Sequence, residues 1–251
     1  MIRAVVIDVD DTLCLTEEVC FELENDVLAR IGGGPMSRAA HVATWGLPLL
    51  EAMPRRSPGV DLDAFTAAYG DVLREYVTAG RLDVVVPENL RALDELAAAG
   101  RSLMLLTSRT EAEMAHLMAP DHVLGGRLDA VYHAGNMRFA KPDPRAFDEL
   151  LAATGLEPRQ CLYVGDSPGD AQAANGAGLR FIACMQSGLR RRADFDPYHV
   201  DAFIDAFPEM VDAVARLEGT RPARAVAGQV MSADGSRSGG PAGHHSPSRR
   251  A

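Results

Sequence analysis

Residues 4–13 read AVVIDVDDTL, a run of small and β-branched residues that ends in three carboxylates, Asp8, Asp10 and Asp11. A continuous apolar run of this kind predicts a strand buried on both faces of a parallel sheet. Ligands of open α/β sheets bind just beyond the carboxyl ends of the strands, which is where this run turns acidic. Side chains alternate along a strand, so Asp8 and Asp10 share one side if extended backbone continues through them. Two carboxylates crowded together repel, and a hard cation such as Mg²⁺ relieves the repulsion. The competing reading is that Asp10 and Asp11 are turn formers that merely end a strand.

The 251 residues allow one or two domains with a sizeable core. A formal net charge of -10 argues against nucleic acid or an anionic membrane as the main partner. No apolar run has the length of a transmembrane helix and no charged-then-apolar leader precedes the strand, so a cytoplasmic protein is expected. Cys14, Cys20, Cys161 and Cys184 lack metal-ligand spacing and are read as reduced thiols. Lys141 is the only lysine in a chain that otherwise uses arginine.

After Leu13 the pattern turns helical. Thr16 is placed as an N-cap with Glu17 and Glu18 in the first turn, and Val19, Leu23, Val27, Leu28 and Ile31 keep helical spacing until a Gly-Gly-Gly-Pro stop at 32–35. Further helices are expected over 37–53, broken near Gly46 and Pro48, and over 61–78, with a loop at 55–59. No strand pattern falls within 16–80, so this block is expected to be an all-helical cap inserted into a core made of 1–15 and 81–218. In that core, helices are expected over 87–99, 111–118, up to about 154, up to 177 and over 208–217. They alternate with strands at 102–107, 130–133, 161–165, 179–183 and near 200–204. Such alternation predicts an α/β fold with a doubly wound, mostly parallel, Rossmann-like sheet. Residues 219–251, rich in Gly, Ser, Pro and Arg, are expected to be a disordered tail, and its His244-His245 doublet is read as no metal site.

The residues able to do chemistry gather at strand ends: Asp8 and Asp10, then Thr107 and Ser108, then Lys141, then Asp166 and Asp170. In a parallel sheet these ends share one edge. Carboxylates that hold Mg²⁺, an ammonium that neutralises phosphate and an aspartate that attacks phosphorus make up a phosphoryl-transfer set.

Asp8-Val9-Asp10-Asp11-Thr12-Leu13, the strand ending in Thr107-Ser108, Lys141-Pro142-Asp143-Pro144 and Gly165-Asp166-Ser167-Pro168-Gly169-Asp170 resemble the four ordered motifs of the haloacid dehalogenase-like hydrolases. The helical insert resembles the cap of the phosphoglycolate phosphatase and β-phosphoglucomutase branch. The resemblance implies Asp8 as nucleophile and Asp10 as the acid that protonates the leaving oxygen and then activates water. It implies Thr107 and the Ser108 backbone as ligands of the phosphoryl oxygens, with Lys141 holding the phosphoryl group. Mg²⁺ would be bound by Asp8, the Asp10 carbonyl and Asp166, with Asp170 supporting that site. Arg109 either reaches substrate or caps the following helix.

Simpler roles stand beside these: Thr107 as partner of a strand-end amide, Lys141 as a loop lysine, Asp170 as an N-terminal helix acid. The sequence departs from the family pattern at Leu15-Thr16, where many relatives carry Asp-Ser, and at Ser108, where Asn is frequent. In the cap, Arg38, His41, Trp45, Arg55 and Arg56 are candidates for contacting the rest of the substrate. The expected activity is a Mg²⁺-dependent phosphatase acting on a small phosphorylated metabolite, as a monomer or homodimer. A sugar-phosphate mutase of the same family and a phospho-accepting receiver switch are the alternatives.

Overall fold

The computed structural model describes residues 1–219, so the expectation of a disordered tail lies outside the described residues except at Gly219. Six strands form one sheet: β1 (Ala4–Ile7), β2 (Ser102–Leu106), β3 (Ala130–Tyr132), β4 (Cys161–Gly165), β5 (Arg180–Cys184) and β6 (Ala202–Ile204). All pair in parallel, in the order β3-β2-β1-β4-β5-β6. The strand order reverses between β1 and β4, and the crevice at such a reversal is where an open α/β sheet binds ligands.

The sheet is covered on both faces, as parallel sheets must be. Val5, Ile7, Leu103, Leu105, Leu162 and Val164 point to one side, into a cluster with Leu93, Leu96 and Met210 from α5 (Pro87–Ala98) and α9 (Met210–Leu217). Ala4, Val6, Met104, Leu106 and Tyr163 point to the other, against Leu150 of α7 (Asp148–Thr154) and Ala171 and Ala174 of α8 (Pro168–Ala177). The two-residue alternation of the strands divides the core between these clusters.

Between β1 and β2 lie α1 (Glu17–Arg30), α2 (Arg38–Ala43), α3 (Leu49–Arg56) and α4 (Leu62–Thr78). Their apolar faces meet in a third cluster built on Leu23, Val27, Met53, Phe65, Val72 and Tyr76. Ser37 and Asp61 cap α2 and α4 through their side chains. Two boundaries differ from expectation. Helix α3 runs through Pro54 to Arg56, so the loop expected from residue 55 begins only at Ser57, whose amide still donates to Met53 O at 2.8 Å. Helix α6 (Glu111–Met114) is shorter than expected, because three-residue bonds such as Ala119 N to His116 O replace the helical pattern ahead of Pro120. No helix among the described residues is long and apolar enough to cross a membrane.

Candidate active site

The ladder of β1 continues one residue past the strand, where the Asp8 amide donates to Val164 O at 2.9 Å, fixing Asp8 against β4. Asp166 follows β4 directly, and Asp170 stands at the third position of α8. Carboxylate oxygens of Asp8, Asp166 and Asp170 lie within 4.8 Å of one another, and all three residues are buried. Lys141 reaches in from the loop after β3. Its Nζ is 3.0 Å from Asp8 Oδ1, donates to Asp170 Oδ1 at 2.7 Å and donates to the Tyr163 hydroxyl at 2.8 Å. The lone lysine is therefore no solvated loop residue.

Gly165 makes this packing possible. A Cβ there would sit 2.6 Å from Asp170 Cγ, so any side chain at the end of β4 would drive Asp170 out of place. Asp170 Oδ2 meanwhile accepts from the Ser167 amide at 3.0 Å and its hydroxyl at 2.7 Å, in a capping box that starts α8. Both Asp170 oxygens are thus engaged, and this carboxylate serves the helix start and Lys141 together.

Charge is unbalanced in this cluster. Burial pushes the Asp8 carboxyl up to about 7; Lys141 opposes the rise, while Asp170 and Asp10 add to it. Burial also raises Asp166 well above the carboxylate range, with Asp170 and Asp8 contributing. Burial alone would raise Asp170 too, but Lys141 wins and holds it low. For Lys141, burial disfavours the ammonium, yet Asp170 and Asp8 outweigh it and keep the amine protonated. Asp166 Oδ2 is buried without a hydrogen-bond partner. An orphaned carboxylate oxygen facing two further carboxylates, with one ammonium among them, fits a divalent hard cation.

The Asp10 carboxylate stands outside that cluster. It accepts from the Thr16 hydroxyl at 2.7 Å and from Arg109, Nε at 3.0 Å and Nη2 at 2.6 Å. Thr16 thus occupies the N-cap position of α1 without capping it through its side chain. Asp11 does that work, accepting the amides of Thr16 at 3.0 Å and Glu17 at 3.3 Å, and the Trp45 Nε1–H at 2.5 Å. Asp11 has φ 54°, a left-handed backbone that aspartate tolerates better than most residues. It is a structural ligand of α1 and of the turn after α2, which is more than a strand stop.

Thr107 and Arg109 take positions the sequence left open. Thr107 is fully buried; its hydroxyl accepts the Arg109 amide at 3.2 Å, and Ser108 rather than Thr107 lines the cavity above the site. Arg109 does not cap α6, whose capping box is formed by Thr110 and Glu113. Its guanidinium is shared between Asp10 and Asp83, with Nη1 and Nη2 donating to Asp83 at 2.6 and 2.8 Å. His116 Nε2 lies 2.6 Å from the same Asp83. Sequence reasoning missed Asp83; its only mark is an acidic residue among apolar neighbours at 82–86, and its φ of 57° is invisible in one dimension.

Of the five helical-block candidates, Arg56 and His41 are buried, while Arg38 is exposed. Arg56 Nη1 donates to Glu24 at 2.6 Å, His41 Nδ1 is 2.7 Å from Glu17 Oε1, and Arg38 pairs with Glu17. Arg55 pairs with Glu51 at an exposed position. Trp45 and Arg56 line a cavity of about 580 Å³ that runs from Asp8, Lys141 and Asp166 up to Leu47, Leu49, Tyr69 and Leu73 of the helical block. Arg190, in the loop after β5, also lines it.

Residues 5–184, more than half of the chain, match the family model of the haloacid dehalogenase-like hydrolases. The chain belongs to that family. Among curated proteins it is similar to the phosphoglycolate phosphatase of Rhodobacter capsulatus, 28% identical over 225 residues that cover 84% of this chain and 98% of that one. Among solved structures, a haloacid dehalogenase-like hydrolase of Bacteroides fragilis matches with a TM-score of 0.72 at 22% identity, over 84% of this chain and all of that one. CbbY from Rhodobacter sphaeroides, solved in complex with xylulose-(1,5)bisphosphate, matches with a TM-score of 0.69 at 22% identity, over 83% and 96% of the two chains. This family places the chain among the hydrolases, on the doubly wound fold that its sequence predicts.

Proposed function

We propose that this hydrolase is a Mg²⁺-dependent phosphatase that cleaves a small phosphomonoester through an aspartyl phosphate on Asp8. The observation that carries the proposal is the placement of Asp8 at the β1/β4 crevice, 3.0 Å from the only lysine and within 4.8 Å of two further carboxylates. The names of the curated relatives support phosphate-ester hydrolysis over other chemistry of the family.

In this reading a carboxylate oxygen of Asp8 attacks phosphorus and the ester P–O bond breaks. Asp10 gives its proton to the departing oxygen, then takes one from the water that attacks the acyl phosphate, restoring Asp8. Lys141 balances phosphoryl charge as an ammonium held by Asp170. Ser108 borders the phosphoryl oxygens, and Thr107, through its bond to the Arg109 amide, sets the turn that carries Ser108 and Arg109. Asp8, Asp166 and the Asp10 carbonyl would hold Mg²⁺, with Asp170 behind them, and the ion supplies charge that offsets the phosphate. Residues 16–80 act as a cap that shields the reaction from water. The compartment is the cytoplasm, in keeping with reduced thiols at four free cysteines.

Phosphate release should be measured over a panel of phosphorylated metabolites and p-nitrophenyl phosphate, with Mg²⁺ and with excess chelator. Release that depends on Mg²⁺ is expected; none from any ester overturns the proposal.

A further inference from the structure

Four cations line the cavity among the described residues: Lys141, Arg56, Arg109 and Arg190. Three already have carboxylate partners. Lys141 is held by Asp8 and Asp170, Arg56 by Glu24, and Arg109 by Asp10 and Asp83. Arg190 forms no ion pair with any described residue. Its Nη2 reaches the Trp45 carbonyl at 3.3 Å, and its Nε is buried without an acceptor. A buried donor left unmade is costly, so a guanidinium held this way awaits an acceptor. The remaining acids of the upper cavity do not supply one. Glu24 is bound by Arg56, Glu51 by Arg55, and Glu113 by the Thr110 amide and hydroxyl.

Arg190 hangs from the loop after β5, one strand outward from Asp166, and is near enough to Asp166 to act on its charge. An arginine fork matches the planar oxygens of a carboxylate or the oxygens of a phosphate. We propose that Arg190 is a subsite for a second anionic group of the substrate, a carboxylate or a further phosphate on the same small molecule whose phosphoryl group sits at Asp8 and Lys141. The proposal rests on the phosphatase reading for the phosphoryl end, and names the chemistry of the other end. A phosphomonoester with a neutral remainder leaves Arg190 unpaired and pays for it in binding.

The test is a ratio. Steady-state kcat/KM is measured for 2-phosphoglycolate against 2-hydroxyethyl phosphate, and for fructose 1,6-bisphosphate against fructose 6-phosphate, with wild type, Arg190→Gln and Arg190→Lys. Wild type should prefer the anion-bearing member of at least one pair, and the pair chosen tells carboxylate from phosphate. Arg190→Gln should lower that preference about 10- to 100-fold, chiefly through KM, as expected for loss of a charge-assisted hydrogen bond. Arg190→Lys, which keeps the charge and loses the fork, should fall between, and it carries the test if the Gln variant does not fold. If Arg190 is only a strut to Trp45, both members of a pair fall together and the ratio stays at the wild-type value, which overturns the proposal. So does a wild type that favours neither anion.

Binding of the same compounds is measured in parallel by calorimetry on Asp8→Asn, with and without Arg190→Gln. If no ester is hydrolysed, p-nitrophenyl phosphate included, the phosphatase reading fails. The calorimetric ratio then decides the Arg190 subsite by itself.

Discussion

Arg109 grips the Asp10 carboxylate by two hydrogen bonds, Nε to Oδ2 at 3.0 Å and Nη2 to Oδ1 at 2.6 Å. The arginine is itself fixed from behind by Asp83, whose side chain is 1% exposed. The group proposed to move protons is therefore held by a buried cation that a second carboxylate keeps in line. Catalytic side chains work at fixed positions, and a planar fork fixes both oxygens where an ammonium fixes one.

Arg109→Lys should therefore lower kcat about 10-fold or more for an alkyl phosphate, whose leaving oxygen needs a well-placed acid. The pre-steady-state burst of p-nitrophenolate from p-nitrophenyl phosphate should fall less, because that leaving group needs little acid help. Rapid-quench kinetics on both esters checks this. Equal losses on the two esters would assign Arg109 to binding the phosphoryl group instead.

Asp10→Asn should accumulate phosphorylated enzyme with p-nitrophenyl phosphate, since attack by Asp8 proceeds while hydrolysis lacks its base. Intact-mass measurement after acid quench should show the adduct, absent from Asp8→Asn. Steady turnover by Asp10→Asn with no adduct would rule out Asp10 as the base.

Lys141 offers a chemical test that few chains allow, as the α-amino group is the only other amine in the sequence. An amine acetylates as its free base, and Asp170 and Asp8 hold this one protonated in a buried setting. Native protein treated with acetic anhydride should modify Lys141 far more slowly than the α-amine, read by peptide mapping. Lys141→Met should cost about 10²–10³ in kcat, the scale of losing one preorganised group from the charge-stabilising site. Rapid acetylation with activity retained would return Lys141 to the status of a loop lysine.

Asp83 gives a prediction in pH. Burial opposes its charge, but Arg109 and His116 prevail and hold the carboxyl well below its usual range. A carboxylate whose folded pKa is depressed contributes stability that is full above its unfolded value, about 3.9, and is lost as pH falls through the folded value. Asp83→Asn leaves Arg109 half-paired and should cost about 3–5 kcal/mol at pH 7. In urea unfolding followed between pH 7 and pH 3, the gap between wild type and variant should be constant down to about pH 4 and narrow below it. A gap that does not change with pH would assign the loss to packing.

The strands were legible because each is a short apolar run closed by a polar or turn-forming stretch. AVVI, SLMLL and CLYVG are strands in the structure, and the parallel sheet follows from their alternation with helices. The grouping of Asp8, Lys141, Asp166 and Asp170 was legible for the same reason, since each lies at or just beyond one edge of that sheet. Helix ends were less so: the helix expected to end at residue 53 runs on through Pro54 to Arg56, because losing one amide donor does not end a helix whose face is already packed on Met53.

The pairing of charges was beyond the sequence. Asp10 and Arg109 are 99 positions apart, Arg56 and Glu24 are 32 apart, and no local periodicity marks either pair. Arg38, Arg56, Arg109 and Arg190 look alike in sequence, each a cation amid mixed neighbours. Folding pairs three of them with carboxylates, Arg56 and Arg109 in buried settings and Arg38 at the surface, and leaves the fourth with an unmet donor. Local sequence dictates whether a segment is strand or helix because the backbone's own sterics and hydrogen bonds operate over a few residues. Which arginine is consumed and which stays available depends on the acid that tertiary packing brings within about 3 Å, a contact created only when distant segments share one dry space.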